Sequence, residues 1–164
     1  MMIMPKLLMV EDLFAPNESI VINFSGSNPF RACQLVKPLM EKVMQVESKD
    51  TYERIFKWDI TEDPRSFYNF WTTNREEDKW SKILVKVVLQ GRQHTQTKKG
   101  NVRIEMSGFL ETAYEYSNPF QKWFWSMYNR MFYFRRRRQY LERGREYIFT
   151  IRDELFREMK IPRG

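Results

Sequence analysis

Asn101–Tyr116 reads NVRIEMSGFLETAYEY. Val102, Ile104, Met106 and Leu110 alternate with Arg103, Glu105, Ser107 and Glu111. A period of two sends apolar side chains to one face of a strand and polar ones to the other. One face of the resulting sheet is therefore expected to be covered and the other wet. Working outward, WSKILVKVVLQ (80–90) is rich in β-branched residues, and the connecting TKKGN places Gly100 where a hairpin tip needs it. Further upstream lie YERIFKWDI (52–60), closed by TEDP, and SFYNFWTT (66–73), followed by the polar NREED. SIVINFSG sets Ile20, Ile22 and Phe24 against Val21, Asn23 and Ser25. The apolar but short N-terminus, MMIMPKLLMVEDLF, reads as a strand or arm: it lacks a basic start and a small-residue cleavage site.

Helical spacing appears in two places. From Pro29 to Val46, the residues Cys33, Val36, Leu39, Met40, Val43 and Met44 share a face. Pro38 removes a donor and clashes with the preceding turn, so the spacing predicts two short helices, or one kinked helix, broken near Val36–Lys37. The tetrapeptide SNPF precedes this segment at Ser27–Phe30 and returns at Ser117–Phe120. In both copies asparagine or serine is expected to cap a helix whose first turn holds the proline. The residues after the second copy read as helix to the end. As one rod they would run ~70 Å at ~1.5 Å per residue, so the helix must bend or project, with Gly144 and the RRRR region as expected breaks. Positions 141, 144, 148, 151, 155 and 159 form its apolar stripe.

The predicted fold class is α+β: a curved antiparallel sheet, two short helices and a long C-terminal helix. Residues 1–134 form the body, and residues 135–164 an arginine-rich helical extension of the same domain. The element order SIVINFSG, NPFRACQLV-KPLMEKVMQV, antiparallel strands, then NPFQKWFWSMYNRMF resembles the START/Bet v 1-like helix-grip superfamily. That resemblance implies a sheet wrapped around the last helix and, as an alternative function, a carrier or sensor of an apolar ligand.

Charge is unevenly placed. Residues 1–117 balance 16 basic against 16 acidic side chains; residues 118–164 hold 12 basic and 5 acidic, which is the whole net charge of +7. The base also changes type, from mostly lysine to mostly arginine, whose planar fork of donors matches phosphate. One cysteine and one histidine exclude an internal disulfide and a Cys/His zinc site, and point to a reducing, cytoplasmic setting. Cys33 sits at core spacing. His94 has no paired nucleophile or carboxylate motif, and the acids of TED (61–63) and EED (76–78) fall in turns and are expected to be solvated. No catalytic or cofactor motif is present, so an enzyme is not expected, nor a metal, a cofactor or a small-molecule substrate.

Two dense stretches remain. Phe120, Trp123, Phe124, Met127, Tyr128 and Met131 share a helical face that is expected to be core, which leaves Trp125 outside it. Insertion at a membrane interface is the minority reading of these rings. Arg135, Arg136, Arg137 and Arg138 point in four directions ~100° apart, and only Glu142 lies within helical reach. Such uncompensated cations predict an external polyanion. The leading expectation is RNA, reached by Arg135–Arg138, Arg143 and Arg145, with Tyr133 and Tyr140 stacking on bases. Arg92, Lys98 and Lys99 on the hairpin would add a weaker second contact. By type, a small basic protein of this kind resembles archaeal lineage-specific ribosomal or ribosome-associated proteins. This implies ribosomal RNA and neighbouring ribosomal proteins as partners, rather than a membrane.

Overall fold

The computed structural model describes residues 6–14 and 19–160. Six strands form one antiparallel sheet: β1 (Lys6–Asp12), β2 (Ile20–Ser27), β3 (Thr51–Asp59), β4 (Arg65–Glu76), β5 (Ser81–Gln93) and β6 (Lys99–Glu115). Their order is β1-β6-β5-β4-β3, and β2 also pairs with β6. The 17-residue β6 is long enough to carry two partners in tandem on one edge. β1 covers its end, with Leu8 opposite Ala113, and β2 its beginning, with Ile22 opposite Ile104. β1 falls within the apolar N-terminal stretch read as a strand or arm.

The alternation in β5 and β6 has the expected outcome. Ile83, Val85, Val87, Leu89, Ile104, Met106 and Leu110 are wholly buried on one face. Arg103, Glu105, Ser107 and Glu111 lie on the open face. Helices α1 (Arg31–Met44) and α3 (Phe134–Met159) cover the buried face and pack on each other. The α+β class and the long C-terminal helix therefore stand, and they are compatible with a helix-grip-like arrangement.

Of the two forms expected for the first helical region, two short helices are not formed and a single helix is. α1 continues through Pro38 and is followed only by a 3-10 turn at Ser48–Asp50. An internal proline costs about 3 kcal/mol. Burial of Val36, Leu39, Met40 and Met44, at roughly 1.5–3 kcal/mol each, outweighs that loss. The two SNPF copies also diverge. Asn118 is extended, and its side chain accepts from Gln121 N at 2.9 Å, capping α2 (Pro119–Tyr128). Asn28 instead adopts a left-handed φ of 53°, and Gln93 Oε1 binds Phe30 N at 3.0 Å.

From Pro119 to Met159 the chain is helical throughout. Neither Gly144 nor the arginines break it. The irregularity is a π turn at Asn129–Tyr133, between α2 and α3. Gly144 has a packing role: a Cβ there would lie 2.8 Å from two carbons of Leu13. Gly108 of β6 makes room for Leu13 from the other side, at 2.7 Å. Leu13 is fully buried between sheet and helix, and its N–H bonds Gly108 O at 3.0 Å.

Candidate anion-binding surface

The π turn decides which side chains face inward. Trp125 and Tyr128 lie on the inner side of α2, where a regular helix would bring Phe132 next. The extra residue puts Tyr133 there instead, stacked on Tyr128 at 6.2 Å. The inner stripe then continues through Arg137, Tyr140, Gly144, Ile148, Ile151, Leu155 and Met159. Phe132 turns outward and is 69% exposed.

A polar clamp holds this stripe. In the β4–β5 turn, Asp78 Oδ1 accepts from the N–H groups of Trp80 and Ser81, each at 2.8 Å. Its Oδ2 accepts from Tyr140 OH at 2.9 Å and from Tyr133 OH. Ser81 Oγ bridges Tyr133 OH and Thr112 Oγ1, both at 2.8 Å. Partial burial works to raise the Asp78 pKa. Hydrogen bonds from Tyr133, from the Trp80 and Ser81 backbone and from Tyr140 outweigh it and hold the carboxyl below its usual range. Burial, reinforced by the bond to Asp78, pushes the Tyr133 phenol well up. Next to it, Glu77 pairs with Arg143 at 2.6 Å and Arg75 at 3.3 Å, and accepts from Tyr147 OH at 3.3 Å. Glu77 and Asp78 are thus not the solvated turn acids that the sequence suggests. The turn folds back onto the helix, where phenols and guanidinium groups meet both carboxylates.

Several nominated side chains are consequently occupied. Arg137 is 4% exposed; its Nε donates to Thr112 Oγ1 at 3.2 Å. Its Nη2 lies 2.7 Å from Glu11 Oε1, where the attraction is Coulombic because Nη2 makes no hydrogen bond of good geometry. Glu11 comes from β1, distant in sequence, which is why helical-reach arithmetic missed it. Tyr133 and Tyr140 are buried, so their rings offer no face to a base. Arg143 is held by Glu77, and Arg145 Nε donates to Leu13 O. Arg92, Lys98 and Lys99 are exposed on the β5–β6 hairpin, but at the other end of the sheet. Roughly 40 Å of strand separates Lys99 from Thr112, the neighbour of Arg137, at ~3.3 Å per residue.

Arg135, Arg136 and Arg138 remain. All three are exposed, and none forms an ion pair among the described residues. Arg130, one turn earlier, is likewise exposed and unpaired among them.

The aromatic face is inverted relative to the expectation. Phe120, Trp123, Phe124, Met127 and Met131 point to solvent, as do Phe132 and Phe134; Phe120 is 71% exposed. Trp125, expected outside, is the anchor. Its indole stacks on Tyr114 at 4.7 Å and 4°, meets Trp80 edge-on at 5.6 Å, and donates Nε1 to Glu115 O at 3.0 Å. Periodicity located the apolar stripe of α2 and assigned it to the wrong side, except at Tyr128, which packs inward as expected. The available signal was the α3 stripe: traced back from Met159 it reaches Tyr133, out of phase with the 120–131 face.

Other chemistry-bearing residues stay apart. His94 Nδ1 lies 3.6 Å from Asp63 in an exposed pair. Burial pushes the Cys33 thiol up to about 12. Among the described residues, no group of three or more His, Cys, Asp or Glu is placed to hold a metal ion, and no helix is long and apolar enough to cross a membrane. An open groove of about 630 Å³ beside the root of α2 is lined by Trp80, Trp125 and lysines facing glutamates. No protein-family model matches this chain, and comparison with curated proteins finds no match.

Proposed function

We propose that this protein works by binding a phosphate-bearing polyanion through the start of α3, with Arg135, Arg136 and Arg138 as the contacting groups. The observation that carries the reading is their exposure without a carboxylate partner among the described residues. From Ser117 to Leu141 the chain holds Lys122, Arg130 and Arg135–Arg138 and no aspartate or glutamate. Among the described residues, Arg137 alone of these cations has an acidic partner, Glu11. Adjacent unpaired cations repel one another, and an external anion relieves that repulsion. The clamp at Asp78 and Glu77 supports the same reading, because it immobilises the inner side of the helix and presents the outer side as a fixed array.

RNA phosphate, the partner expected from the sequence, and the phosphate of lipid headgroups both satisfy this chemistry. A ribosomal location is one form of the RNA case, and it draws on the charge alone. The test is a salt titration of binding to a structured RNA hairpin and to anionic vesicles. Affinity for the true partner falls steeply with salt. Replacing Arg135, Arg136 and Arg138 together by Gln lowers the log–log salt slope by roughly 2–3 for a nucleic acid, with the thermal melt unchanged. If neither probe binds at low salt, or the triple variant binds as tightly as the wild type, the reading is wrong.

A further inference from the structure

We infer that the partner is an anionic membrane surface, and that α2 with the π turn is the element that lies in it. This inference rests on the polyanion reading above and names the partner. Three observations favour lipid over RNA.

The first is the continuity of the apolar ridge. Phe120, Trp123, Phe124, Met127 and Met131 follow one another at spacings of one, three or four residues, all facing solvent. Phosphate neutralisation has no use for such a ridge, whereas the boundary between headgroups and acyl chains does. The second is the state of the rings. Phe124 stacks on Tyr128 at 17°, Tyr128 packs on Phe132 at 5.8 Å, and Phe120 leans on Trp123 at 6.0 Å. Their faces are partly taken up by each other, and methionine side chains in the same ridge have no flat face for a base. The third is charge complementarity. Lys122, Arg130, Arg135 and Arg138 are exposed on the same continuous helical stretch as the ridge, with no acid among them, which suits a plane of anionic headgroups around a shallow apolar insertion.

The geometry also limits the mode. Only one side of α2 carries the ridge, and its other side, at Trp125 and Tyr128, is packed on Trp80 and Tyr114, so the segment lies along the surface instead of crossing it. Trp125, locked between Tyr114 and Trp80, ties it to the sheet and sets the angle at which the body meets the lipid.

The experiment uses the full chain and vesicles of phosphatidylcholine, with and without a minority of phosphatidylglycerol, beside an RNA hairpin. Co-sedimentation is expected with the anionic vesicles. Phe120→Ser/Trp123→Ser/Phe124→Ser should lower vesicle partitioning roughly a hundredfold. Each of Arg135→Gln and Arg138→Gln should lower it about fivefold. Acyl-brominated lipid should quench tryptophan emission in the wild type and much less in Trp123→Phe, which still binds. The substituted side chains are exposed, so melting temperatures should hold except for a small drop in the serine triple variant, where Phe124 no longer stacks on Tyr128. Three results overturn the inference: RNA binding without vesicle binding; vesicle binding indifferent to the serine triple variant; or a wild-type dimer that this variant dissociates, which makes the ridge a self-interface. The first of these leaves the polyanion reading standing. Absence of binding to both probes removes both.

Discussion

Asp78→Ala tests whether the β4–β5 turn clamps the last helix. The substitution deletes the acceptor of two phenol hydroxyls and two backbone N–H groups. Hydrogen bonds to a charged acceptor contribute about 1.5–3 kcal/mol each. The lower end applies here because the carboxylate is only partly buried, so the two phenols together account for about 3 kcal/mol. Ser81 is 2% exposed, so its N–H also loses an acceptor that water does not readily replace, and about 3 kcal/mol is a lower bound. A loss of ~3 kcal/mol is roughly 150-fold in the folding equilibrium, within the stability of a domain this size. Asp78→Asn keeps an oxygen for Trp80 and Ser81 and loses only the charge toward the phenols, so about half that loss is expected. The assay is urea denaturation followed by far-UV CD and by tryptophan emission. The pH dependence has a definite sign. The folded pKa of Asp78 is depressed, so its stabilisation is fully present above the unfolded value of ~3.9 and disappears as pH falls below it. The gap between wild type and Asp78→Asn should therefore close in acid. A gap that is absent at neutral pH, or that widens in acid, refutes the clamp.

Further outcomes follow from the same contacts. Removing Glu11 and removing Arg137 should have unequal effects, read by urea denaturation. Glu11→Ala leaves a buried guanidinium without its counter-charge and costs about 3–5 kcal/mol, whereas Arg137→Met leaves Glu11, which is 40% exposed, in reach of water and stays within ~1 kcal/mol. Gly144→Ala should destabilise by about 1–2 kcal/mol, because Leu13 is also pressed against Gly108 and cannot retreat. In a Leu13→Ala background the same change should stabilise by about 1 kcal/mol through helix preference, a reversal that a double-mutant cycle detects. Cys33 should resist thiol reagents at pH 8 in the folded protein and react at the rate of unfolding in urea, since burial keeps its thiol protonated.

How far the sequence carries depends on which distances matter. The alternation of Val102, Ile104, Met106 and Leu110 is a local property, and it sufficed for the strand, its buried face and the existence of a sheet. The stripe from Gly144 to Met159 was legible for the same reason. The sequence left open whether Pro38 splits its helix; it does not, because its local penalty is smaller than the packing of four neighbours, which no local rule weighs. The aromatic segment misled. Two apolar sides compete in Phe120–Tyr133, and periodicity cannot say which one meets the sheet. Trp125 won through Tyr114, Trp80 and the carbonyl of Glu115, partners 10 to 45 residues away in the chain. The arginine run was half legible: its excess charge is written in the composition, but the partner of Arg137 lies on the first strand.

The order of residues alone determined the strands, the long terminal helix and the concentration of positive charge in it, since each follows from backbone preference and neighbours within a few positions. Only the folded chain decided that Glu11, Glu77 and Asp78 would occupy Arg137, Arg143, Tyr133 and Tyr140, and that Arg135, Arg136, Arg138 and the aromatic ridge would be left outward. A single π turn shifts the helical phase by one residue, and pairing of groups far apart in the chain depends on that phase, to which local propensity is blind.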